Sequence, residues 1–164
     1  MRPQSMDPKT KQKVLRLLTN GMYILTSRSA KSFGAATVTW VSQASFKPPL
    51  LMVALRKDGS AFQSVVESRT AVLHVLDCGQ RDIAQKFFAA TTESQGLLNG
   101  EPYFEGTNGA PVLENLGAYL ECKALEILEK PGDHAIVVFE VLNAVLRREI
   151  EPLTVTGSPW QYGG

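Results

Sequence analysis

The chain has 164 residues, 44% of them hydrophobic and 20% charged, which is typical of one soluble globular domain large enough to build its own core. A formal net charge of +1 argues against nucleic acid or an anionic membrane as the main partner. Cys78 and Cys122 are too far apart to suggest a zinc site or a disulfide framework, and both are predicted to be buried thiols. With no stretch of membrane-spanning length and no signal-peptide pattern, we predict a single cytoplasmic domain over residues 1–164.

The first predicted element is a helix that begins after Asp7, because aspartate favours the N-cap and Pro8 suits the first helical position. Its apolar face would consist of Val14, Leu15, Leu17 and Leu18, and Asn20-Gly21 would end it. A strand over residues 22–26 and a polar turn are predicted to follow.

The stretch GAATVTWVSQAS, residues 34–45, is predicted to be one strand with two unlike faces. Alternation places Thr37, Thr39, Gln43 and Ser45 on one face, interrupted by Val41, and Ala36, Val38, Trp40 and Ala44 on the other. One face is therefore apolar, whereas the other carries hydroxyls and an amide.

A basic turn follows the next apolar strand, residues 50–55. Arg56 and Lys57 precede a predicted helix with Ser60 as its N-cap and Gln63 as the capping-box partner. Because a helix N-terminus offers unpaired N–H groups and a partial positive charge, the turn would suit a phosphate. With the hydroxyl strand alongside, the combination fits flavin mononucleotide (FMN). The alternative is a solvated sheet face beside a common loop turn.

The remaining elements predict a mostly antiparallel sheet of about six or seven strands with short peripheral helices. They are a strand over 70–76, a short helix with Ile83, Ala84, Phe87 and Phe88 on one face, and strands over 119–128 and 135–146. Residues 91–116 are rich in Gly, Asn and Pro and are predicted to be a functional cover or an interface loop. The fold class is thus mostly β, an α+β arrangement built on a closed or split β-barrel.

The sequence contains no GxGxxG, P-loop or metal-ligand spacing, so no Rossmann site and no metal site is expected. His74 lies in an apolar strand and is predicted to be a satisfied structural residue. His134 ends the tight turn Gly132-Asp133-His134, where a rigid scaffold often presents side chains to a site.

Several segments, in order, resemble the flavin reductase-like family of FMN-binding split β-barrel proteins. They are LTNGMYILTS, GAATVTWVSQASFKPPLLMVAL, KDGSAF, AVLHVL, DIAQKFFA, GAPVLENLGAYLEC and PGDHAIVVFEV. The match runs from about Val14 to Tyr162. The version TWVSQASFKPP followed by VALRKD is similar to the module at the end of cyanobacterial diflavin proteins.

The resemblance implies a flavin site and a set of residues for it. Cofactor-binding roles would fall to Thr37, Val38, Thr39, Trp40, Gln43, Ala44, Ser45, Arg56, Lys57 and Ser60, the last three near the phosphate. His134 would lie near the flavin ring and the nicotinamide, as the catalytic residue. Thr39 and His74 replace residues that are common in relatives. The end of the chain matches the family's closing strand only loosely, which leaves open any contacts of Thr156 and Gly157 with a pyridine nucleotide.

The predicted function is that of an FMN-binding oxidoreductase, a flavin reductase that uses NADH or NADPH. Its acceptor would be free flavin, oxygen, a metal complex or a protein, and the resemblance implies a homodimer. Two alternatives remain: an electron-transfer module that serves a protein partner without using a nicotinamide, and a non-catalytic flavin- or haem-binding split barrel.

Overall fold

A curled antiparallel sheet of seven strands is the frame of the computed structural model, which describes residues 5–164. The strands are β1 Tyr23–Arg28, β2 Phe33–Val38, β3 Val41–Ser45, β4 Leu50–Arg56, β5 Thr70–Val75, β6 Glu93–Ser94, β7 Leu97–Leu98, β8 Glu101–Glu105, β9 Pro111–Leu113, β10 Ala118–Leu128 and β11 His134–Leu146. The helices are α1 Pro8–Leu15, α2 Ser60–Ser68 and α3 Arg81–Lys86. The main sheet has the order β2-β1-β5-β10-β11-β4-β3, and β6 to β9 form a smaller sheet. The predicted α+β class is confirmed.

The stretch predicted to be one strand over residues 34–45 is two strands, so that prediction was wrong. β2 pairs with β1, whereas β3 pairs with β4 at the opposite edge of the sheet. Thr39 and Trp40 join them, and the Trp40 carbonyl accepts a hydrogen bond from the Ala54 amide at 3.0 Å. Since consecutive strands form the two edges, the sheet curls until its edges meet at this step. An alternating pattern with no glycine or proline close to Thr39 and Trp40 gives no sign of such a break.

Helix α1 begins as predicted but ends early. The Asp7 carboxylate accepts a hydrogen bond from the Thr10 amide at 2.9 Å, and Arg16 is the C-cap. The predicted end at Asn20-Gly21 was therefore wrong. The predicted apolar face is exposed, with Leu17 at 77% and Leu18 at 65% of full accessibility. Periodicity identifies an apolar face, but it does not reveal whether another element covers that face.

Helix α2 closes one side of the barrel core. Its buried residues Phe62 and Val65 pack in one cluster with Val53 of β4 and with Val137 and Phe139 of β11. The N-terminus of α2 is thereby fixed against the sheet.

Residues 91–116, predicted to be a functional cover or an interface loop, contain the four short strands of the small sheet. His74 in β5 ties this region to the main sheet, because its Nε2 accepts from the Leu113 amide at 2.9 Å and its Nδ1 donates to the Ile24 carbonyl at 3.0 Å. The predicted structural role of His74 is confirmed. Cys122 is buried as expected, but Cys78 is exposed, which corrects the prediction for that thiol.

No helix in the part of the chain from residue 5 onward is long and apolar enough to cross a membrane.

Candidate functional site

A cleft of about 1010 Å³ lies between β2, the β4–α2 turn, the segment after α3 and the C-terminal segment. Of the residues predicted for the site, those that line it are Thr37, Val38, Thr39, Arg56, Ser60 and His134. The turn between β4 and α2 adds Asp58 and Gly59, and the segment after α3 adds residues 87–91. The structure therefore brings together residues 37–39, the turn that contains Arg56, and His134.

The other predicted residues lie outside the lining. The Trp40 ring lies beside the His134 ring, with centroids 4.6 Å apart. Gln43 and Ala44 are exposed on β3, and Ser45 is half-buried. The Lys57 amide donates to the Asp133 carbonyl at 3.2 Å, which holds the two turns together. Flavin-binding roles for Trp40, Gln43, Ala44, Ser45 and Lys57 stay predictions.

Two threonine hydroxyls of the cleft differ in their partners. Thr37 Oγ1 donates to the Ala84 carbonyl at 2.7 Å and so ties β2 to α3. Thr39 Oγ1 is buried, and the part of the chain that the structure describes offers it no hydrogen-bond partner. A buried hydroxyl without a partner costs about 1–3 kcal/mol. A ligand with a polar edge would recover that energy at Thr39.

The N-terminus of α2 faces the cleft with free donors. The N-cap is Gly59 rather than the predicted Ser60, and Ser60 Oγ instead contacts Thr91 Oγ1 at 2.6 Å. The predicted capping box with Gln63 was also wrong, because no side chain caps this helix. Within residues 5–164 the amides of Ser60, Ala61 and Phe62 have no acceptor, as expected for a first helical turn. These three donors and the helix dipole form a potential anion site.

Arg56 is less available to an anion than its sequence position suggested. Its Nε donates to Asp58 Oδ1 at 3.0 Å and its Nη2 to Asp58 Oδ2 at 2.6 Å, in an exposed two-point ion pair. The hydrogen bond to Asp58 raises the pKa of Arg56 and lowers that of Asp58. The local positive charge is therefore partly neutralised, and the helix amides become the more important anion donors.

His134 begins β11 and is held from both sides. Its Nδ1 lies 2.8 Å from Asp133 Oδ1 and its Nε2 lies 3.1 Å from the Tyr162 hydroxyl. Because an ionised carboxylate can only accept, Nδ1 carries the proton towards Asp133 and, in the neutral ring, Nε2 accepts from Tyr162. The same hydrogen bond lowers the pKa of Asp133. His134 lines the cleft, whereas its place near a flavin and its catalytic role stay predictions.

Sequence reasoning missed the C-terminal wall of the cleft. Trp160, Gln161 and Tyr162 line it, and Trp160 packs edge-on against Phe88 with centroids 4.9 Å apart. The only signal was the pair of aromatic residues in SPWQYGG, which does not show where the segment lies. Thr156 and Gly157, whose contacts with a pyridine nucleotide the sequence left open, are exposed and do not line this cleft.

Comparison with known proteins gives one family match and several relatives. The family model described as flavin reductase like domain matches residues 15–159. Diflavin flavoprotein A 1 of Synechocystis sp. is 33% identical over 133 residues, which cover 80% of this chain and 23% of that protein. FMN reductase (NADH) RutF of Pseudomonas syringae is 25% identical over 126 residues, 77% of this chain and 70% of that protein.

The fold is shared with solved structures. The NADH:FAD oxidoreductase SgcE6 of Streptomyces globisporus superposes with a TM-score of 0.77 at 23% identity, covering 98% of this chain and 97% of that one. The predicted split β-barrel is thereby confirmed. The chain spans only about a quarter of the length of the diflavin flavoproteins that it matches.

Proposed function

This chain belongs to the flavin reductase-like domain family, and on that premise we propose that it is an FMN-binding oxidoreductase that accepts a hydride from NADH or NADPH. Support comes from relatives named for these activities, an FMN reductase (NADH) and a probable flavin reductase. The arrangement of polar groups in the cleft supports the same function.

The observation that carries the proposal is the unpartnered Thr39 hydroxyl, buried in a cleft that also holds the free amides at the start of α2. The two features match the two polar regions of FMN, the heterocycle edge and the phosphate. Thr39 would donate to or accept from the ring edge, and the amides of Ser60, Ala61 and Phe62 would hold the phosphate. The apolar wall of Val38 and Phe87 would exclude water from the ring.

The protein's contribution to the reaction is placement. When bound, FMN supplies the redox chemistry by taking up a hydride from a reduced nicotinamide and passing the electrons on. The protein needs no nucleophile for this, and none is expected in the cleft. His134, fixed by Asp133, would orient the nicotinamide at the ring.

The FMN site is tested by titrating the purified protein with FMN and with riboflavin. We expect about one FMN per chain and tighter binding of FMN, because only FMN carries the phosphate for the α2 amides. Anaerobic mixing of the FMN-loaded protein with NADH and with NADPH then follows the loss of flavin absorbance. Equal affinities for FMN and riboflavin would contradict the phosphate site, and no reduction by either nucleotide would contradict the reductase.

A second candidate function is electron transfer to a protein partner without direct use of a nicotinamide. The similarity to diflavin flavoproteins favours it, because there the matched region is one part of a longer chain. The mixing experiment separates the two, since this module would bind FMN but would not be reduced by NADH or NADPH. A protein acceptor and a cytoplasmic location stay predictions.

We also propose that the protein is a homodimer. The outer face of β10, β11 and β4 carries exposed Leu128, Ile136 and Met52. The outer face of an antiparallel sheet is normally polar, and an exposed apolar patch of neighbouring strands marks an interaction surface. A second copy of the chain is the proposed occupant.

A further inference from the structure

The C-terminal residues 158–164, which we call the strap, lie against the cleft. Ser158, Trp160, Gln161 and Tyr162 form one of its walls. The family match ends at residue 159, so most of the strap lies beyond the part of the chain that the family model describes.

Trp160 packs against the buried cluster that includes Met22 and Phe87, whereas residues 161–164 are attached by contacts at the surface. Arg16, the C-cap of α1, donates from Nη1 to Gln161 Oε1 at 2.7 Å and from Nε to the Gly163 carbonyl at 3.1 Å. All the strap side chains are exposed or half-buried. Each such hydrogen bond contributes little, so residues 161–164, with Tyr162, can open while Trp160 stays packed.

Tyr162 lies where a ligand would have to contact His134. Its hydroxyl bonds His134 Nε2 at 3.1 Å, and its ring lies beside Trp40 with centroids 5.3 Å apart. Since Asp133 holds Nδ1, both ring nitrogens of His134 are occupied while the strap is closed. A polar group of a ligand can therefore bond this imidazole only after Tyr162 leaves.

We propose that the strap and the nicotinamide compete for one place, the surface formed by His134 and Trp40, so that Tyr162 sets the affinity for the hydride donor. The inference rests on the proposed function of the cleft. A nicotinamide has the two properties that Tyr162 uses there: a flat aromatic ring to set against Trp40 and a polar substituent that can hydrogen-bond His134. Tyr162 must therefore move away before the nicotinamide can bind.

The competition has a measurable size. A ligand that binds only the open form has its affinity reduced by the fraction of protein that is open. Loss of the Tyr162 hydrogen bond and ring contact should therefore strengthen binding about tenfold, which corresponds to about 1.4 kcal/mol. If Tyr162 instead helped to bind the nicotinamide, its removal would weaken binding.

The test is a calorimetric titration of the FMN-loaded protein with NAD⁺, which does not reduce the flavin. Tyr162→Ala should bind NAD⁺ about tenfold more tightly than the unmodified chain. Tyr162→Phe keeps the ring, so its affinity for NAD⁺ should lie between those of Tyr162→Ala and the unmodified chain. This variant also provides the test if the alanine variant does not fold. Arg16→Gln should strengthen binding too, because it loosens the strap from a residue that does not line the cleft.

The matched control is Tyr103→Phe. Its hydroxyl bonds Glu93 at 3.2 Å, outside the cleft, so the affinity for NAD⁺ should not change. A second readout is cleavage by chymotrypsin after Trp160 and Tyr162, followed by mass spectrometry, which saturating NAD⁺ should accelerate.

Unchanged or weaker binding of NAD⁺ by the Tyr162 variants, or protection of the strap by NAD⁺, would overturn the competition. FMN binding and reduction by NADH would then persist in the unmodified chain. Failure of the proposed function would be recognised differently, because the unmodified chain would then not bind FMN. The competition between strap and nicotinamide would be refuted together with that function.

Discussion

Thr37 and Thr39 are equivalent in the sequence but not in the structure. The Thr37 hydroxyl is bonded to the Ala84 carbonyl, whereas the Thr39 hydroxyl is buried without a partner among the described residues. A single hydrogen bond to a carbonyl on another element is beyond the reach of an alternation pattern. The residue with the free hydroxyl is the better candidate for a ligand contact, and substitution of each by the isosteric valine separates the two roles.

Thr39→Val should weaken FMN binding about tenfold, or about 1.4 kcal/mol, without lowering the stability of the flavin-free protein. The physical reason is that the hydroxyl has no protein partner to lose. Thr37→Val is the control and should lower the free energy of unfolding by about 1 kcal/mol with a smaller effect on FMN. Fluorescence titration with FMN and urea unfolding measure the two quantities. Unchanged FMN affinity in Thr39→Val would remove this residue from the site.

His74 links the stability of the fold to pH. Burial lowers its pKa from 6.5 to about 4, the hydrogen bond to Ile24 opposes this shift, and the charge of Arg147 adds to it. Between these two pH values the unfolded chain binds a proton that the folded chain does not. Stability is therefore fully present above about pH 6.5 and is lost as the pH falls towards 4, by about 3 kcal/mol in all.

His74→Gln should reduce this pH dependence, because glutamine does not titrate. Carboxylates titrate similarly in both proteins, so the difference between their stability profiles isolates the imidazole. Urea unfolding at intervals from pH 7 to pH 4.5 measures it. We expect the free energies of unfolding to converge as the pH falls, and parallel profiles would show that His74 does not contribute.

At the scale of elements, the close contact between β2 and α2 places the helix amides in the cleft. Gly34 makes it possible, since a Cβ there would collide with the Ser60 carbonyl and lie 2.9 Å from the Ala61 Cα. Both neighbours are backbone atoms of the first helical turn. A Cβ at residue 34 can therefore be accommodated only if the N-terminus of α2 moves.

Gly34→Ala should therefore lower the free energy of unfolding by about 1–3 kcal/mol. It should also weaken FMN binding more than riboflavin binding, because the displaced amides serve only the phosphate. Gly79→Ala is the matched control, since a Cβ at Gly79 meets no atom within 4 Å. Thermal unfolding and the two titrations give the readouts. Equal losses for both flavins would indicate general damage to the cleft rather than movement of the helix.

The sequence predicted most elements but not the places where they break. Runs such as residues 70–76 alternate or stay apolar over their length, and they became strands close to the expected bounds. The break at Thr39-Trp40 carries no turn residue, and the N-cap at Gly59 rather than Ser60 depends on tertiary packing of α2. His134, which lines the cleft, was singled out because it follows a Gly-Asp turn. Tyr162 was missed because contacts between residues 28 positions apart leave no local pattern.

At the scale of the whole molecule, curling of the sheet leaves one apolar face uncovered. Met52 and Val138 are cross-strand partners of β4 and β11, and Leu128 and Ile136 are partners of β10 and β11. Ser42 of β3 pairs with Met52, so Gln43, Ala44 and Ser45 follow directly at the edge of this face. A partner seated here would lie beside the predicted flavin residues that the single chain leaves outside its cleft.

A charge at the centre of this face should therefore dissociate the proposed dimer. Met52→Glu and Ile136→Glu change side chains that are 43% and 44% exposed, so neither substitution disturbs the core of the single chain. In an interface each carboxylate would be buried without a partner, at a cost of several kcal/mol. Size-exclusion chromatography with light scattering should give a dimer for the unmodified chain and a monomer for both variants. Leu97→Glu, at a side chain 41% exposed in the small sheet, is the control and should remain dimeric. A monomer before any substitution, or dimers that survive both charges, would contradict a homodimer formed through this apolar face.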